Sequence, residues 1–520
     1  MEYIETEDIQ SYGSIDKATE ILKKYKEAQG IKDYWKDKFE EAYEYCLPNR
    51  ESFYNESPGQ KRTDKIFDET AVVGVQEFAS RLQAGITPTF ARWADFQAGS
   101  EIPQEQKSFI NLELDKITDY VFQLLQQSNF NQEIHEAFMD LAIGTGVILV
   151  EEGDAVNPIK FTSVPLTRVC LNNGPDGKID TIYRTRICKP EEVKILYPKA
   201  ELPENFDVLK NKKKVKLIEA IYKVYEENVE KYKFCVVMEN PKAIILEEFY
   251  EGEGSNPYLV FRWNKASGEV YGRGPVFNAM GAIKTCNLTI ELILQNAQMS
   301  VSGVYTYEDD GVINPDNISL VPGSLIPVAP GSKGLLPIQA ASNFDVAQLV
   351  LNDMRQNIKK ALYMEALGRP EGTPMTATEV SERMADLSRQ IGSSFGRLQS
   401  ELINPLLKRI IRILSKQGRI DIPKVNGREV KIAPRSPLAQ AQHLQDVADV
   451  TRFNEIIAGT FGPQMINLIV DQNETAKYLA EKMNLPEKLI RDEQEQKQLL
   501  DRLQQLNQSP EEGGEAPPGA

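Results

Sequence analysis

The stretch Gly144-Thr145-Gly146-Val147-Ile148-Leu149-Val150 marks the place where the hydrophobic pattern changes from helical to extended. Ahead of it, apolar side chains recur at steps of three or four residues, at Phe130, Ile134, Phe138 and Leu141. Two glycines at the change let the backbone leave a helix and enter a strand at little steric cost. The sequence therefore predicts a helical region followed by a sheet that packs on it.

The first 145 residues are predicted to be helical throughout. The first helix is interrupted at Gly30, and the second ends at Gly85 in a left-handed cap, with Pro88 behind it to stop the helix. Ordinary core packing explains the apolar stripes of these helices, which cover residues 21–43, 71–82, 114–125 and 130–141.

Between residues 146 and 263 the period of the apolar residues shortens toward two, which is typical of strands. Turn-forming residues at 172–177, Asn-Asn-Gly-Pro-Asp-Gly, separate two of the extended runs. We expect a mostly antiparallel sheet with strands at Lys160–Val164, Thr181–Ile187, Lys216–Tyr225, Tyr232–Met238, Ala243–Phe249 and Tyr258–Trp263.

The second half of the chain returns to a helical pattern, so the predicted fold class is α+β and mainly helical. Thr376 and Glu379 form a capping box that starts a long helix, and Pro405 should kink it because proline removes a backbone donor. The predicted order is a helix at 272–300, a Gly/Pro-rich β-containing insertion at 301–339, a helix at 344–363, the long helix from 376 to 415, an extended segment near 420–432, helices within 438–506 and a disordered end at 509–520.

The composition describes an acidic globular protein, with a net charge of -16 and 41% hydrophobic residues. This balance argues against a conventional DNA-binding surface, which neutralises phosphates with Lys and Arg. The acidic surface has two interpretations: it promotes solubility, or it forms a wall past which DNA slides without sticking. The five scattered cysteines are predicted to be unpaired thiols, mostly in the core. No signal pattern or membrane-spanning stretch is found, so we expect a soluble protein assembled in the cytoplasm.

Two glycine pairs, Gly144-x-Gly146 and Gly272-x-Gly274, invite comparison with phosphate-binding loops. Neither completes a dinucleotide or P-loop motif, and the first lies between a helix and a strand, the wrong order for a helix N-terminus to hold phosphate. We therefore interpret both as tight backbone turns. With no nucleophile elbow, no Cys/His pair and only two histidines, we predict no catalytic centre, metal site or cofactor.

Arg355, Lys359 and Lys360 fall within little more than one helical turn, and no acidic residue lies three or four positions away from any of them. They form either a solvated charged face or a basic ring that touches DNA phosphates without reading sequence. Shortly after them, the residues from 368 to 374 form a long connector with two glycines and two prolines; loops of this kind often carry function.

The order of these elements, taken with several short motifs, resembles the portal (head-to-tail connector) family of short-tailed, podovirus-type bacteriophages. The resemblance covers roughly residues 15 to 500. It is carried mainly by Tyr271-Gly272-Arg273-Gly274-Pro275 and Met375-Thr376-Ala377-Thr378-Glu379-Val380, and it is supported by Val164-Pro165-Leu166, Asp180–Arg184 and Ile86-Thr87-Pro88.

The resemblance implies an α+β portal fold assembled as a closed ring, typically of twelve copies in this family. DNA-facing candidates on the tunnel loop are Gly368, Arg369, Pro370, Glu371, Gly372 and Thr373, beside the basic candidates Arg355, Lys359 and Lys360. The implied regions are a wing at 1–272, a stem helix at 273–300, a clip at 301–342, a second stem helix at 343–363, the tunnel loop at 364–376, a long kinked wing helix and extended segment at 377–434, a helical crown at 435–506 and a disordered tail at 507–520.

The implied function is a channel at one capsid vertex that serves genome packaging, genome retention, tail attachment and DNA ejection, without enzymatic activity. The implied partners are further copies of the chain, double-stranded DNA of any sequence, the large terminase subunit, tail adaptor or tube proteins, capsid and scaffold proteins, and internal core proteins in phages that have them. No membrane partner is expected.

Two other classes of protein remain as alternatives. A different structural virion protein, such as a tail adaptor or scaffold, has no evident need for an insertion between two helices. A magnesium-dependent enzyme acting on nucleic acid needs converging carboxylates, and no paired-carboxylate motif predicts them.

Overall fold

The computed structural model describes residues 6–54, 63–203, 206, 214–225, 230–302, 305–306, 330–331, 336–337, 344–364, 391–422, 429–462 and 469–483. It contains both helices and antiparallel sheets, as the hydrophobic pattern predicts.

The amino-terminal region contains four helices and one strand. Its elements are α1 (Thr6–Cys46), α2 (Thr70–Ile86), β1 (Ala94–Ala98), α3 (Gln104–Gln127) and α4 (Phe130–Ile143).

Three predictions for this region were wrong. Helix α1 continues through Gly30, where a Cβ would meet no atom within 4 Å, so an exposed glycine is tolerated there. Helix α2 ends at Ile86, not at Gly85, and Thr87 follows without a left-handed cap. Strand β1 was missed because it is only five residues long and its partner is more than 300 residues away: it pairs with β12 (Val430–Pro434).

The middle of the chain forms two antiparallel sheets. Their elements are β2 (Thr145–Glu152), β3 (Ile159–Ser163), a 3-10 turn (Leu166–Arg168), β4 (Val169–Asn173), β5 (Ile179–Cys188), α5 (Pro190–Leu196), β6 (Val215–Val224), β7 (Lys231–Met238), β8 (Ala243–Glu251) and β9 (Tyr258–Arg262). The first sheet has the order β3-β2-β9 and the second the order β4-β5-β6-β7-β8. All six predicted strands are present, together with β4 and the short helix α5, which the pattern did not reveal.

The remaining described elements are mainly helical. They are α6 (Pro275–Ser302), the short pair β10 (Tyr305–Thr306) and β11 (Leu336–Pro337), α7 (Phe344–Ala361), α8 (Gly392–Leu398), a π-helical turn (Gln399–Ile403), α9 (Asn404–Lys416), β12, α10 (Pro437–Phe461) and α11 (Gln472–Lys482). The regular helix is interrupted directly before Pro405, as the missing amide of proline predicts, and helix α9 ends one residue beyond the predicted position. The predicted helix start at Thr376 and the chain end at 509–520 lie outside the described residues.

The two Gly-x-Gly motifs meet in the core, at a place that we call the glycine hub (Gly144, Gly146, Gly272 and Gly274). The amide of Gly274 donates to the carbonyl of Ile143 at 2.8 Å, and the amide of Gly272 donates to the hydroxyl of Thr145 at 2.8 Å. A Cβ at Gly144 would lie 2.1 Å from the carbonyl oxygen of Gly272. The motifs are therefore close backbone contacts between the end of α4, the start of β2 and the segment before α6. Gly144 is a turn residue, as predicted, whereas Gly146 lies inside β2.

The main core surrounds this hub. Trp263 and Tyr271, which flank the end of β9 and the start of α6, are almost completely buried. All five cysteines are buried and unpaired, as predicted. No helix in the described ranges is long and apolar enough to cross a bilayer.

Candidate functional site

The predicted basic cluster lies on α7, which packs side by side with α6. The structure separates its three members. The guanidinium of Arg355 forms an ion pair with the buried carboxylate of Asp68, with 2.8 Å between Nη2 and Oδ2. Lys359 and Lys360 are exposed, and neither has an ion-pair partner among the described residues. Arg355 is therefore held by the fold, whereas the two lysines present their charges to solvent.

Asp68 can hold Arg355 in place because hydrogen bonds fix the segment around Asp68 itself. The side-chain oxygen of Asn287 on α6 accepts hydrogen bonds from the amides of Phe67 and Asp68, at 2.7 and 3.0 Å. The amide of Thr70 donates to Asp68 at 2.9 Å. Burial raises the pKa of Asp68, but the hydrogen bonds from Thr70 and Arg355 outweigh it, so the net shift is downward. Asp68 is thus a stable anion that joins α2, α6 and α7.

Lys359 is not in a purely basic environment. Together with Arg355 it borders a shallow depression of about 500 Å³ that also contains Glu69 and Glu77. Lys360 is absent from the residues that line this depression. The charge on this face of α7 is therefore mixed near Lys359.

The end of α7 is anchored on α2. A guanidinium nitrogen of Arg81 donates to the carbonyl of Met364 and lies 3.4 Å from that of Tyr363. Gly74 leaves room for Leu362, since a Cβ there would lie 2.5 Å from Leu362 Cδ1. Tyr363 has a φ of 58° and packs against Trp263, with ring centroids 5.7 Å apart. Because a non-glycine residue rarely adopts positive φ, surrounding contacts must hold Tyr363 there.

This anchored end is the last described point before the predicted loop. The loop candidates Gly368, Arg369, Pro370, Glu371, Gly372 and Thr373 lie outside the described residues. The residues that hold α7 and its end, Asp68 and Arg81, were missed by the sequence analysis. Their contacts span more than 280 positions, and no local pattern encodes such pairs.

Four leucines of the α6–α7 pair are largely exposed to solvent. Leu288, Leu292 and Leu294 on α6 are 57, 55 and 52% exposed, and Leu349 on α7 is 72% exposed. Leu288 and Leu292 are one turn apart and share a side of α6, whereas Leu294 lies on the opposite side of the helix from Leu292. Exposed apolar side chains that share a face are a feature of surfaces that bind another protein. We refer to Leu288 and Leu292 as the leucine face.

No group of three or more metal-binding side chains occurs within the part of the chain that the structure describes. His135 lies on α4, and the side chain of His443 is outside the described set.

The chain matches the profile of the family described as "Bacteriophage head to tail connecting protein" over residues 18–490. It is 23% identical over 501 residues to a probable portal protein of Bordetella phage BPP-1, covering 90% of this chain and 88% of the relative. It is 21% identical to the portal protein of Salmonella phage epsilon15, covering 74 and 72% of the two chains. It is also 20% identical to the portal protein of Escherichia phage T7, covering 60 and 58%.

Proposed function

This chain belongs to the family of bacteriophage head to tail connecting proteins and has a phage portal function, and from this premise we propose that about twelve copies form a closed ring around the genome channel. The match to the family across residues 18–490 is the observation that carries the proposal. The ring stands at one vertex of the capsid and is assembled in the cytoplasm of the bacterial host.

The leucine face supports the ring. In a closed ring each copy buries, against its neighbour, a surface that a single copy would expose to water. Burial of apolar area stabilises by roughly 25 cal/mol per Å², so the two leucines of this face would add to the stability of each contact. On this proposal the helices α6 and α7 form the stem of the ring.

The proposed division of the chain follows the resemblance to portals. Residues 1–272 and 377–434 form the wing, 273–300 and 343–363 the stem, 301–342 the clip and 435–506 the crown. Residues 364–376 form a tunnel loop that begins at the anchored end of α7.

Sequence-independent contact with DNA is proposed for Lys359 and Lys360. A channel must touch phosphates weakly, because many permanent contacts would stall a moving genome. Two exposed lysines on each copy, within an acidic chain, meet this requirement. Arg355 is now assigned a structural part in the proposal, since its charge is used by Asp68.

The proposed partners are the large terminase subunit during packaging, then tail adaptor or tube proteins, with capsid, scaffold and internal core proteins around the ring. The chain acts without catalysis in this scheme.

The first experiment is negative-stain electron microscopy of the purified chain with its native mass. We expect rings with a central hole and a mass about twelve times that of the subunit. Purified protein that stays monomeric, also when the capsid and scaffold proteins are co-expressed, would contradict the proposed ring.

The second experiment tests the lysines. The double variant Lys359→Ala/Lys360→Ala should assemble rings but alter DNA packaging or retention in particles. The matched control is Lys23→Ala/Lys26→Ala, which removes two exposed lysines from α1. Unchanged packaging and retention in the α7 variant would contradict the assigned DNA contact.

A further inference from the structure

A cleft of about 560 Å³ lies between helix α9, the β2 strand and the open side of the five-stranded sheet. The portal function assigned above makes no use of it. Its walls contain aromatic and aliphatic side chains, among them Phe249, Tyr250 and Ile413, and Phe249 is 52% exposed. Two arginines, Arg409 and Arg412, project into it from neighbouring turns of α9.

Neither arginine has a carboxylate partner among the described residues. Arg409 donates to the backbone carbonyls of Val150, Gly254 and Ser255, at 3.1, 3.4 and 3.0 Å. Arg412 forms no ion pair there, and its guanidinium lies against the backbone at Gly252, where a Cβ would approach Nη1 to 2.8 Å. Neither cation is therefore in an ion pair, although the charges of Glu152 and Glu151 act on Arg409.

This arrangement is unfavourable in an isolated chain. Burial, with a smaller contribution from the charge of Arg412, lowers the pKa of Arg409 to about 10, although Tyr250, Glu152 and Glu151 act in the opposite direction. Like charges three positions apart on a helix repel each other, and a desolvated guanidinium without an anion is costly. An incoming oxyanion would relieve both effects, because the planar guanidinium fork binds carboxylates through two parallel hydrogen bonds.

Most of the other charged side chains of the cleft form ion pairs within the subunit. On its floor the buried carboxylate of Glu219 lies 2.6 Å from Arg186 Nε and also accepts hydrogen bonds from the hydroxyls of Tyr197 and Tyr258. At the rim, three further ion pairs, Lys416–Glu152, Lys199–Glu248 and Lys231–Glu251, span 2.7, 3.0 and 2.8 Å.

The charged residues of the cleft that form no ion pair determine which kind of anion can bind there. Besides the two arginines, Glu151 is a lining residue with no ion pair inside the described ranges. The charges that form no ion pair, those of Arg409, Arg412 and Glu151, thus sum to one positive charge. Several paired carboxylates lie at the rim. A polyphosphate backbone would be repelled by these carboxylates, whereas one carboxylate beside an apolar group would neutralise the cleft and cover its aromatic wall.

We propose that the Arg409–Arg412 cleft receives an exposed carboxylate from a second copy of this chain, next to it in the ring. The inference rests on the proposed ring, in which the neighbouring copy is present at high effective concentration. Charge complementarity supports this occupant, since the chain carries a net charge of -16 and offers many acidic side chains. The contact is heterologous: the arginine cleft of one copy meets an acidic surface of the next.

Modification of arginines by phenylglyoxal tests the proposal on the full-length chain. Rings and free subunits are separated by size and treated alike, and the modified positions are mapped by mass spectrometry. Arg412 should react about tenfold more slowly in rings than in subunits, as a charge-assisted pair predicts. Arg419, an exposed residue that donates to the carbonyl of Ala155 of its own chain, serves as the internal reference and should react equally in both.

A pair of variants provides the second readout. Arg412→Gln should lower the salt concentration at which rings dissociate, and Arg412→Lys should restore part of the loss. Arg419→Gln is the matched control, because it removes an exposed arginine charge outside the cleft, just beyond α9, that bonds within its own subunit. Neither position is needed for the core, so the subunits should remain folded.

The outcomes separate this inference from the proposed function. Rings that form while Arg412 reacts as fast as in subunits would overturn the cleft contact and leave the ring intact. Protection of Arg412 in free subunits by inorganic phosphate alone would also overturn it, since the cleft would then be a phosphate site. Failure to find rings under any condition would overturn both proposals.

Discussion

The glycine hub and the α6–α7 pair differ in where their contacts are satisfied. In the hub, two turns approach so closely that even one methyl group has no space, and the backbone hydrogen bonds lie within the chain. The α6–α7 pair is anchored by Asp68 and Arg81, yet it leaves leucines and lysines exposed. The contacts of the hub are therefore satisfied within the subunit, whereas the helix pair exposes apolar and basic side chains to solvent.

The largest effect is expected from a methyl group in the hub. Gly144→Ala places a Cβ 2.1 Å from a backbone carbonyl, so we expect a loss of about 4 kcal/mol or more in the free energy of unfolding. Gly281→Ala on α6 is the control: its Cβ meets nothing within 4 Å, and the better helix propensity should stabilise by about 0.5–1 kcal/mol. Urea unfolding of the subunit measures both, and similar values for the two variants would contradict the comparison.

The next effect concerns the buried ion pair that ties the π-helical turn to β9. Arg262 donates to both carboxylate oxygens of Glu401, with Nη2 at 2.6 Å from Oε1. Arg262→Met leaves the Glu401 carboxylate without its partner and should cost about 3–5 kcal/mol. The exposed pair of Lys477 and Glu474 is a control that should contribute at most about 1 kcal/mol. If Arg262→Met lowers the free energy of unfolding by less than the control pair contributes, water must solvate the Glu401 carboxylate in place of the guanidinium.

Two buried aspartates, one near each region, are expected to change the stability of the subunit with pH in opposite directions. Asp140, close to the hub, is fully buried, and burial raises its pKa to about 6, although it accepts a hydrogen bond from Tyr43. Its folded pKa lies above the unfolded one, so the folded state binds the proton first as the pH falls. Its contribution to stability therefore rises between pH of about 6 and about 4, by up to about 3 kcal/mol.

Asp68, at the helix pair, has the opposite sign. Its folded pKa is lowered, so its contribution is present at neutral pH and is lost as the pH falls through the folded value. Asp140→Asn should remove the rise in melting temperature below pH 6, and Asp68→Asn should not. A pH profile of the Asp140→Asn variant that matches the unmodified chain would contradict the assignment.

The smallest effect on the subunit is expected at the leucine face. The double variant Leu288→Ser/Leu292→Ser exchanges exposed side chains, so its free energy of unfolding should change by less than about 0.5 kcal/mol per site. Its ring mass should nevertheless fall, because the apolar contact between copies is lost. Native mass and urea unfolding are measured side by side, and rings of unchanged stability would remove the leucine face from the interface.

Local patterns predicted most of the elements. The alternation of apolar residues from 160 to 263 located six strands, and Gly144 was interpreted correctly as a turn residue. The interruption before Pro405 followed from its missing amide. The failures have physical reasons: a glycine in an exposed position does not break a long helix such as α1, and a strand of five residues such as β1 has too little pattern to be seen.

The mixed helical and antiparallel architecture, the buried unpaired cysteines and the resemblance to portal proteins could be predicted from the sequence, because they depend on period, composition and the order of short motifs. Only the folded chain shows that the two glycine motifs touch and that Asp68 takes Arg355 out of the basic cluster. Only the folded chain shows, too, that Arg409 and Arg412 share a cleft in which neither forms an ion pair. Each of these facts joins residues far apart in the chain, where contact depends on packing in three dimensions and leaves no periodic signal.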